Sequence, residues 1–357
     1  MSIFSQPGFD NHEAVHAFCV PEADLRGFIA IHSTALGPAF GGCRVWTYAD
    51  DNEALTDALR LSQGMSYKNA LAELPYGGGK AVIMRGPGRP ADDALFEAYG
   101  RVVDSLGGRY ITAEDVGTSV ENMRSVAKFT DYVSGIPKDN GYRGGDPSPV
   151  TALGVFEGMK AAVRHRHRTT DLKDMRVAVQ GIGHVGYHLC GLLHEAHAEL
   201  IVSDINTANM DRAVEDFSAT PVASEEILKA DADVFAPCAL GGVLNANTIG
   251  TLKAKVVAGA ANNQLAAKTD GKLLAVSGIT YAPDYVINAG GIISVAAERD
   301  PTATKERVLK AVKRIGERTG RILTRAHNEN ASPSEMADQM ARETIAKAKA
   351  EGAQRAA

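Results

Sequence analysis

Residues 176–204, RVAVQGIGHVGYHLCGLLHEAHAELIVSD, constrain the fold more than any other stretch of this chain. An apolar, β-branched run ends at three glycines, Gly181, Gly183 and Gly186, spaced G-x-G-x-x-G. A helical segment follows, then a second apolar run that ends in Asp204. Glycines at this spacing are weak evidence alone, but the order strand, turn, helix, strand and acid is that of a dinucleotide-binding βαβ unit. In such a unit Gly181 permits the tight turn, Gly183 lets the backbone approach a pyrophosphate, and Gly186 allows close helix packing. Ile182, His184 and Val185 complete the candidate cofactor loop, and the helix N-terminus offers unpaired N–H groups to phosphate. Asp204 is placed to accept hydrogen bonds from ribose hydroxyls and to repel a 2′-phosphate, which favours NAD over NADP. The bland alternative is a Rossmann-like unit that binds nothing. His184 and His188 have i, i+4 metal-ligand spacing, but no third ligand accompanies them, so no metal is expected.

Further short runs, DVFAPC and KVVAGA, alternate with helical segments and extend this unit into a parallel sheet covered on both faces. The first ~140 residues also mix strands and helices, with an amphipathic helix across DNEALTDALRLSQGMSYKNALAEL and another across DDALFEAYGRVVDSLGG. The Gly- and Pro-rich stretch GIPKDNGYRGGDPSPVT reads as a domain junction. The fold class is therefore α/β with two domains, an N-terminal α/β domain with a mixed sheet and a Rossmann domain. The boundaries fall at 1–140 and 141–329, and the chain beyond about 305 is helical.

Hydrophobic residues make up 45% and charged residues 23% of 357, ordinary globular values that disfavour disorder and membrane insertion. A net charge of −5 argues against nucleic acid as a partner. The opening residues have neither the basic nor the apolar segment of a secretion signal. Four scattered cysteines with no C-x-x-C pair point to a reducing compartment, the cytoplasm.

A second motif is ELPYGGGKAVIM at 73–84, with three consecutive glycines before Lys80. It is not a phosphate-binding P-loop, because Leu74 stands where the first glycine is needed and Ala81 replaces the hydroxyl. Read as a hinge, the glycines expose Lys80 at the start of a strand. A lysine that works as a base or nucleophile needs burial or a neighbouring cation, and Lys68 is the candidate cation. In RYITAEDVGTSVENM, Asp115 precedes a helix that Thr118 or Ser119 is better placed to cap, which frees Asp115 for chemistry.

These stretches, in this order, together with LGPAFGGCR, GDPSPVTALGVFEGMKAA, DVFAPCALGGVLN, AGAANNQL and YAPDYVINAGG, resemble the amino acid dehydrogenases of the glutamate, leucine, phenylalanine and valine group, with leucine dehydrogenases nearest. The likeness spans most of the chain. It implies reversible oxidative deamination of an L-amino acid by NAD and water, giving a 2-oxo acid, ammonia and NADH. It further implies that Lys68 holds the substrate carboxylate, Lys80 activates water, Asp115 moves protons at the amine, and Asn262 and Gly41 fix the substrate. Thr151, Cys238, Ala239 and Asn288 would join the cofactor site. The resemblance also implies a catalytic cleft between the domains, a return of C-terminal helices from about 330–357 to the first domain, and a homo-oligomer, in the family an octamer.

By the same likeness, positions 40, 113, 292 and 295 line the side-chain pocket, here Phe40, Ala113, Ile292 and Val295. Glutamate enzymes carry a lysine at the first of these, and a distal carboxylate buried against Phe40 would be left unpaired, so glutamate is disfavoured. Leucine dehydrogenases carry leucine there, and a bulkier Phe40 shortens the pocket, ranking branched aliphatic substrates first. An aromatic substrate stacked on a rotated Phe40 ranks second. The rivals are a 2-hydroxy acid dehydrogenase, which usually needs a histidine acid/base, and an NADH-binding sensor without turnover, which would not need Lys80 and Asp115.

Overall fold

The computed structural model describes residues 2–86, 91–137 and 146–356, so residues 138–145 of the expected junction lie outside the described residues. The backbone divides into two units, one of Met1–Gly145, Val295–Thr302 and Ala341–Ala357, the other of Asp146–Ser294 and Ala303–Met340.

The first unit holds β1 (Ala14–Val20), β2 (Leu25–Ser33), β3 (Ala39–Phe40), β4 (Cys43–Trp46), α1 (Asp51–Leu71), β5 (Gly77–Met84), α2 (Asp93–Asp104), β6 (Tyr110–Ile111) and α3 (Val120–Ala127). The sheet order is β1-β2-β5-β3-β6, and β4 also pairs with β5. Because β5 runs antiparallel to β2 and parallel to β3 and β4, the sheet is mixed. Strand alternation sorts β5: Ala81 and Ile83 enter the core beneath α2 and α3, whereas Val82 and Met84 pack against α1. Lys80 shares parity with Val82 and so lies on the α1 face. The same rule sends Cys43 of β4 into the α2 core and turns Arg44 to the α1 face.

Asp50 caps α1 by accepting the Glu53 N–H, and Ser119 forms a capping box with Asn122 at the start of α3. Thr118, the other cap candidate, instead bonds the backbone of Asp115 and Cys43.

The glycines before Lys80 are not a hinge. All of β5 is buried, Lys80 being only 4% exposed, and the glycines lie within the strand. A β-carbon on Gly77 would stand 1.9 Å from the Ser33 carbonyl oxygen, and one on Gly78 would stand 2.0 Å from the Ser66 nitrogen. The tripeptide therefore lets β2 and α1 close on the central strand, a packing role that local flexibility does not describe.

The second unit contains α4 (Ser148–His167), β7 (Arg176–Gln180), α5 (His184–Glu195), β8 (Glu199–Ser203), α6 (Thr207–Phe217), β9 (Thr220–Pro221), β10 (Val234–Pro237), α7 (Ala246–Ile249), β11 (Val256–Val257), α8 (Lys268–Val276), β12 (Thr280–Tyr281) and α9 (Asp284–Ile287). Helices α10 (Gly290–Ala297), α11 (Lys305–Asn328) and α12 (Pro333–Ala356) follow. Its sheet, β12-β11-β10-β7-β8-β9, is parallel throughout. A parallel sheet of this order with crossover helices is the doubly wound arrangement expected from the 176–204 window. No helix among the described residues is long and apolar enough to cross a membrane.

Candidate active site

Two glycines, Gly41 and Gly42, interrupt the strand formed by β3 and β4. The Gly41 N–H donates to the Ile111 carbonyl, and its own carbonyl accepts the Tyr110 hydroxyl at 2.7 Å. One lone pair of the Gly41 oxygen is left for another donor. A β-carbon on Gly42 would stand 2.8 Å from the Asp115 Cβ, so the missing side chain gives Asp115 its room.

Lys80 and Asp115 meet here. Lys80 Nζ lies 2.9 Å from Asp115 Oδ2 in an ion pair, with the lysine side chain 5% and the aspartate 25% exposed. Arg44 Nε reaches the same carboxylate oxygen at 3.1 Å. The Arg44 guanidinium also spans to Asp57 of α1 through Nη1 at 3.1 Å, and the Tyr48 hydroxyl donates to that carboxylate at 2.7 Å. Burial alone would raise Asp115, but Lys80 and Arg44 outweigh it and hold the carboxyl below its ordinary value. Arg44 is likewise held above its ordinary value, burial being outweighed by Asp115 and Asp57. Burial and then the Asp115 charge push the neighbouring Glu114 up.

Lys68 is half-buried on the last turn of α1. The helix is tied to the sheet there by Asn69, whose amide donates to the carbonyls of Phe40 at 3.2 Å and Gly77 at 2.6 Å. Phe40 is fully buried, and its ring lies 5.1 Å from that of Tyr76 at a tilt of 47°. Ala113 is buried, and Ile292 and Val295 are half-buried along α10.

In the second unit Gly181 has φ +95°. A β-carbon on Gly186 would stand 2.0 Å from the Gly181 carbonyl oxygen, so helix and turn approach closely. Gly183 caps α5 with no side-chain hydrogen bond, and no atom lies within 4 Å of where its β-carbon would be. His184 is exposed and Val185 half-buried on the first turn. Asp204 accepts the Ile182 N–H at 2.6 Å and the Asn206 N–H at 2.7 Å, which aligns the carboxylate with the turn.

Asn288 is buried, donates to Asn262 Oδ1 at 2.8 Å and to the Ala260 carbonyl at 3.1 Å, and its own Oδ1 has no partner among the described residues. The exposed Asn262 thus keeps its amide N–H groups for another acceptor. Cys238 accepts the Ala260 N–H on Sγ at 3.5 Å, and burial pushes its thiol up to about 12. Ala239 is exposed beside it, and the Thr151 hydroxyl turns back to the Pro147 carbonyl at 2.9 Å. The open space at Gly183, the uncapped N-terminus of α5, the Asp204 carboxylate and the unpartnered Asn288 oxygen fit a dinucleotide.

A family model, Glu/Leu/Phe/Val dehydrogenase, dimerisation domain, matches residues 12–132. A second, Glutamate/Leucine/Phenylalanine/Valine dehydrogenase, matches 202–353. Leucine dehydrogenase of Geobacillus stearothermophilus is 48% identical over 346 residues, covering 97% of this chain and 94% of that protein. The chain belongs to the glutamate/leucine/phenylalanine/valine dehydrogenase family. Other members are similar as well: phenylalanine dehydrogenase of Bacillus thermotolerans is 44% identical over 340 residues, 94% of this chain and 88% of that one. The crystal structure of L-tryptophan dehydrogenase from Nostoc punctiforme superposes with a TM-score of 0.85 at 43% identity, covering 95% of this chain and 97% of that one.

As a dehydrogenase of this family the chain is an oxidoreductase of the CH–NH2 group of amino acids, working with a nicotinamide dinucleotide. The resemblance read from its motifs therefore holds, and the 2-hydroxy acid dehydrogenase reading falls. Motif reading passed over Arg44, Asp57, Tyr48 and Tyr76. For Arg44 a signal was present: it follows the buried Cys43 in a strand, so alternation alone turns it to the face that carries Lys80.

Proposed function

We propose that this dehydrogenase oxidatively deaminates a branched-chain aliphatic L-amino acid with NAD, releasing the 2-oxo acid and ammonia. The observation that carries the assignment is the Lys80–Asp115 pair, a buried amine and a half-buried carboxylate held 2.9 Å apart. In this reading Lys68 binds the substrate α-carboxylate, and the Gly41 carbonyl and Asn262 amide orient the amino acid. Asp115 takes a proton from the substrate ammonium, so that the nitrogen lone pair can form the iminium as hydride leaves Cα. NAD, when bound, supplies the hydride acceptor. Lys80, in its neutral form, takes a proton from water as its oxygen adds to Cα. Asp115 then returns a proton to nitrogen, and ammonia departs as the new hydroxyl gives its remaining proton to solvent and becomes the carbonyl of the 2-oxo acid.

The cofactor would be held by Gly181, Ile182, Gly183, His184, Val185 and Gly186 at its phosphates and by Asp204 at its ribose. Thr151, Cys238, Ala239 and Asn288 complete its site. Asp204 supports NAD over NADP through like-charge repulsion. The assembly is read as a homo-oligomer, in keeping with the dimerisation domain that the first family model describes, and the compartment as the cytoplasm.

Phe40, Ala113, Ile292 and Val295 are read as the side-chain pocket residues, and none of the four is a cation for a distal carboxylate. The packing of Phe40 against Tyr76 supports an aliphatic substrate, because a ring held by a neighbour is not free to turn and stack on an aromatic one. Each methylene contributes only about 1–3 kcal/mol to such a choice.

The test is NADH production with valine, leucine, isoleucine, phenylalanine, tryptophan and glutamate, run beside Lys80→Ala. Activity led by an aliphatic amino acid and lost in the variant supports the reading. Activity led by phenylalanine or tryptophan keeps the chemistry and overturns the pocket assignment. NADH binding with no turnover of any amino acid brings back the sensor.

A further inference from the structure

We propose that Arg44 is a positioning residue for the deamination, holding Asp115 in the orientation and the anionic form from which it accepts the substrate's proton. The inference rests on the proposed role of Asp115 and deepens it by naming what prepares that carboxylate.

Three observations carry it. Arg44 Nε and Lys80 Nζ both reach Oδ2 of Asp115, at 3.1 and 2.9 Å, so two cations from adjacent strands grip one oxygen. Arg44 is itself held from the far side, since its Nη1 is 3.1 Å from Asp57 Oδ2, and Tyr48 donates to that same oxygen at 2.7 Å. The chain Tyr48, Asp57, Arg44, Asp115, Lys80 therefore crosses from α1 through β4 to β5, its first three links hydrogen bonds and its last an ion pair. The fork geometry matters: a guanidinium presents Nε and Nη1 in one plane and can join two carboxylates at once, which an ammonium on a flexible stem does not do rigidly. Asp115 lies on a loop after β6, where Thr118 bonds its backbone while Arg44 and Lys80 hold its carboxylate.

The arrangement also has a chemical consequence. Lys80 is to exchange protons with water during turnover, and whenever it is neutral it no longer supports the Asp115 charge. Arg44 does not lose its proton, so the carboxylate keeps a permanent cation through the cycle. Among the described residues Asp115 also neighbours Glu114 beside it, the buried Cys43 thiol, and Asp57 beyond Arg44.

The experiment is the pH profile of kcat/KM for wild type, Arg44→Met, Arg44→Lys and Tyr48→Phe, with circular dichroism as a check on folding. Removing an opposite charge at this distance raises a carboxylate by about one pH unit or more. Arg44→Met should therefore move the acid limb upward by about that amount and lower kcat. Arg44→Lys restores charge without the fork, so its acid limb should return towards wild type while kcat stays reduced. Tyr48→Phe loosens Asp57 and should lower kcat mildly with the limb in place. If Arg44→Met does not fold, the acid limb and kcat of Arg44→Lys decide the matter, wild-type values in both overturning the proposal. A folded Arg44→Met with an unmoved acid limb also overturns it, whatever its melting temperature. Asp115→Asn separates the two levels: wild-type turnover in that variant sinks the role of Asp115 itself, whereas its inactivity beside an unaltered Arg44→Met profile sinks only the role of Arg44.

Discussion

Lys80 and Asp115 lie 2.9 Å apart although α2 and β6 separate them in the chain. The contact exists because β5 and the loop after β6 both border the strand broken by Gly41 and Gly42. It places an amine and a carboxylate side by side, the pairing that acid–base chemistry at an amine carbon requires.

Removal of either partner should lower kcat by about 10² to 10⁴-fold, the usual contribution of a positioned acid or base. Residues that act as a unit are not additive, so Lys80→Ala combined with Asp115→Asn should cost far less than the product of the single losses. Steady-state kinetics of the three variants would check this, and multiplicative losses would show that the two groups work independently.

Gly78→Ala should destabilise the first unit by about 1–3 kcal/mol, because its β-carbon would strike the backbone of α1 at Ser66, 2.0 Å away. The push falls on the helix that carries Lys68, so the KM for the amino acid should rise as well. Gly64→Ala is the control, since no atom lies within 4 Å of its β-carbon and alanine favours the helix by up to about 1 kcal/mol. Urea unfolding of both variants gives the answer, and equal midpoints would contradict the packing role of the glycines.

Asp204→Asn keeps an oxygen for the Ile182 N–H but removes the charge proposed to meet the ribose. NADH affinity should fall and NADPH affinity rise, each by about tenfold, which is about 1.4 kcal/mol of changed interaction. Fluorescence titration with both reduced cofactors measures this. An unchanged ratio of the two affinities would remove Asp204 from the ribose site.

Acid should destabilise the first unit through His32. The ring is buried, its Nδ1 lies 2.8 Å from the Ser66 hydroxyl, and His12 packs edge-on at 4.9 Å. Burial, then the His12 charge, lower its value from 6.5 to about 4, against the opposing pull of Asp10. A histidine depressed in the folded state contributes stability that is complete above about pH 6.5 and is lost as pH falls towards 4. The loss amounts to about 3 kcal/mol at most. His12 and His16 are lowered as well, both chiefly by burial. His32→Gln should therefore flatten, without abolishing, the fall of melting temperature over that window. A variant that keeps the whole wild-type slope would locate the acid sensitivity elsewhere.

What the sequence determined by itself is local or periodic. The 176–204 window announced a βαβ turn because glycine spacing, strand pattern and terminal acid are all read within one short segment, and β7, α5 and β8 follow it closely. The cap of α3 was legible to within one residue, Thr118 or Ser119, for the same reason, since a cap concerns only the next three residues. Family membership was legible because many such segments occur in order. Tertiary structure alone decided what Gly77–Gly79 are for, since an isolated G-G-G spells flexibility and only the approach of Ser33 and Ser66 makes it a packing surface. It also decided the partners of Asp115. Sequence offered Lys68 as a cation beside Lys80 and gave Asp115 no side-chain partner, whereas the folded sheet brings Lys80 and Arg44, and behind Arg44 Asp57 and Tyr48, to that carboxylate. Hydrogen bonds between side chains on different strands depend on register and face, and those are settled only when the strands pair.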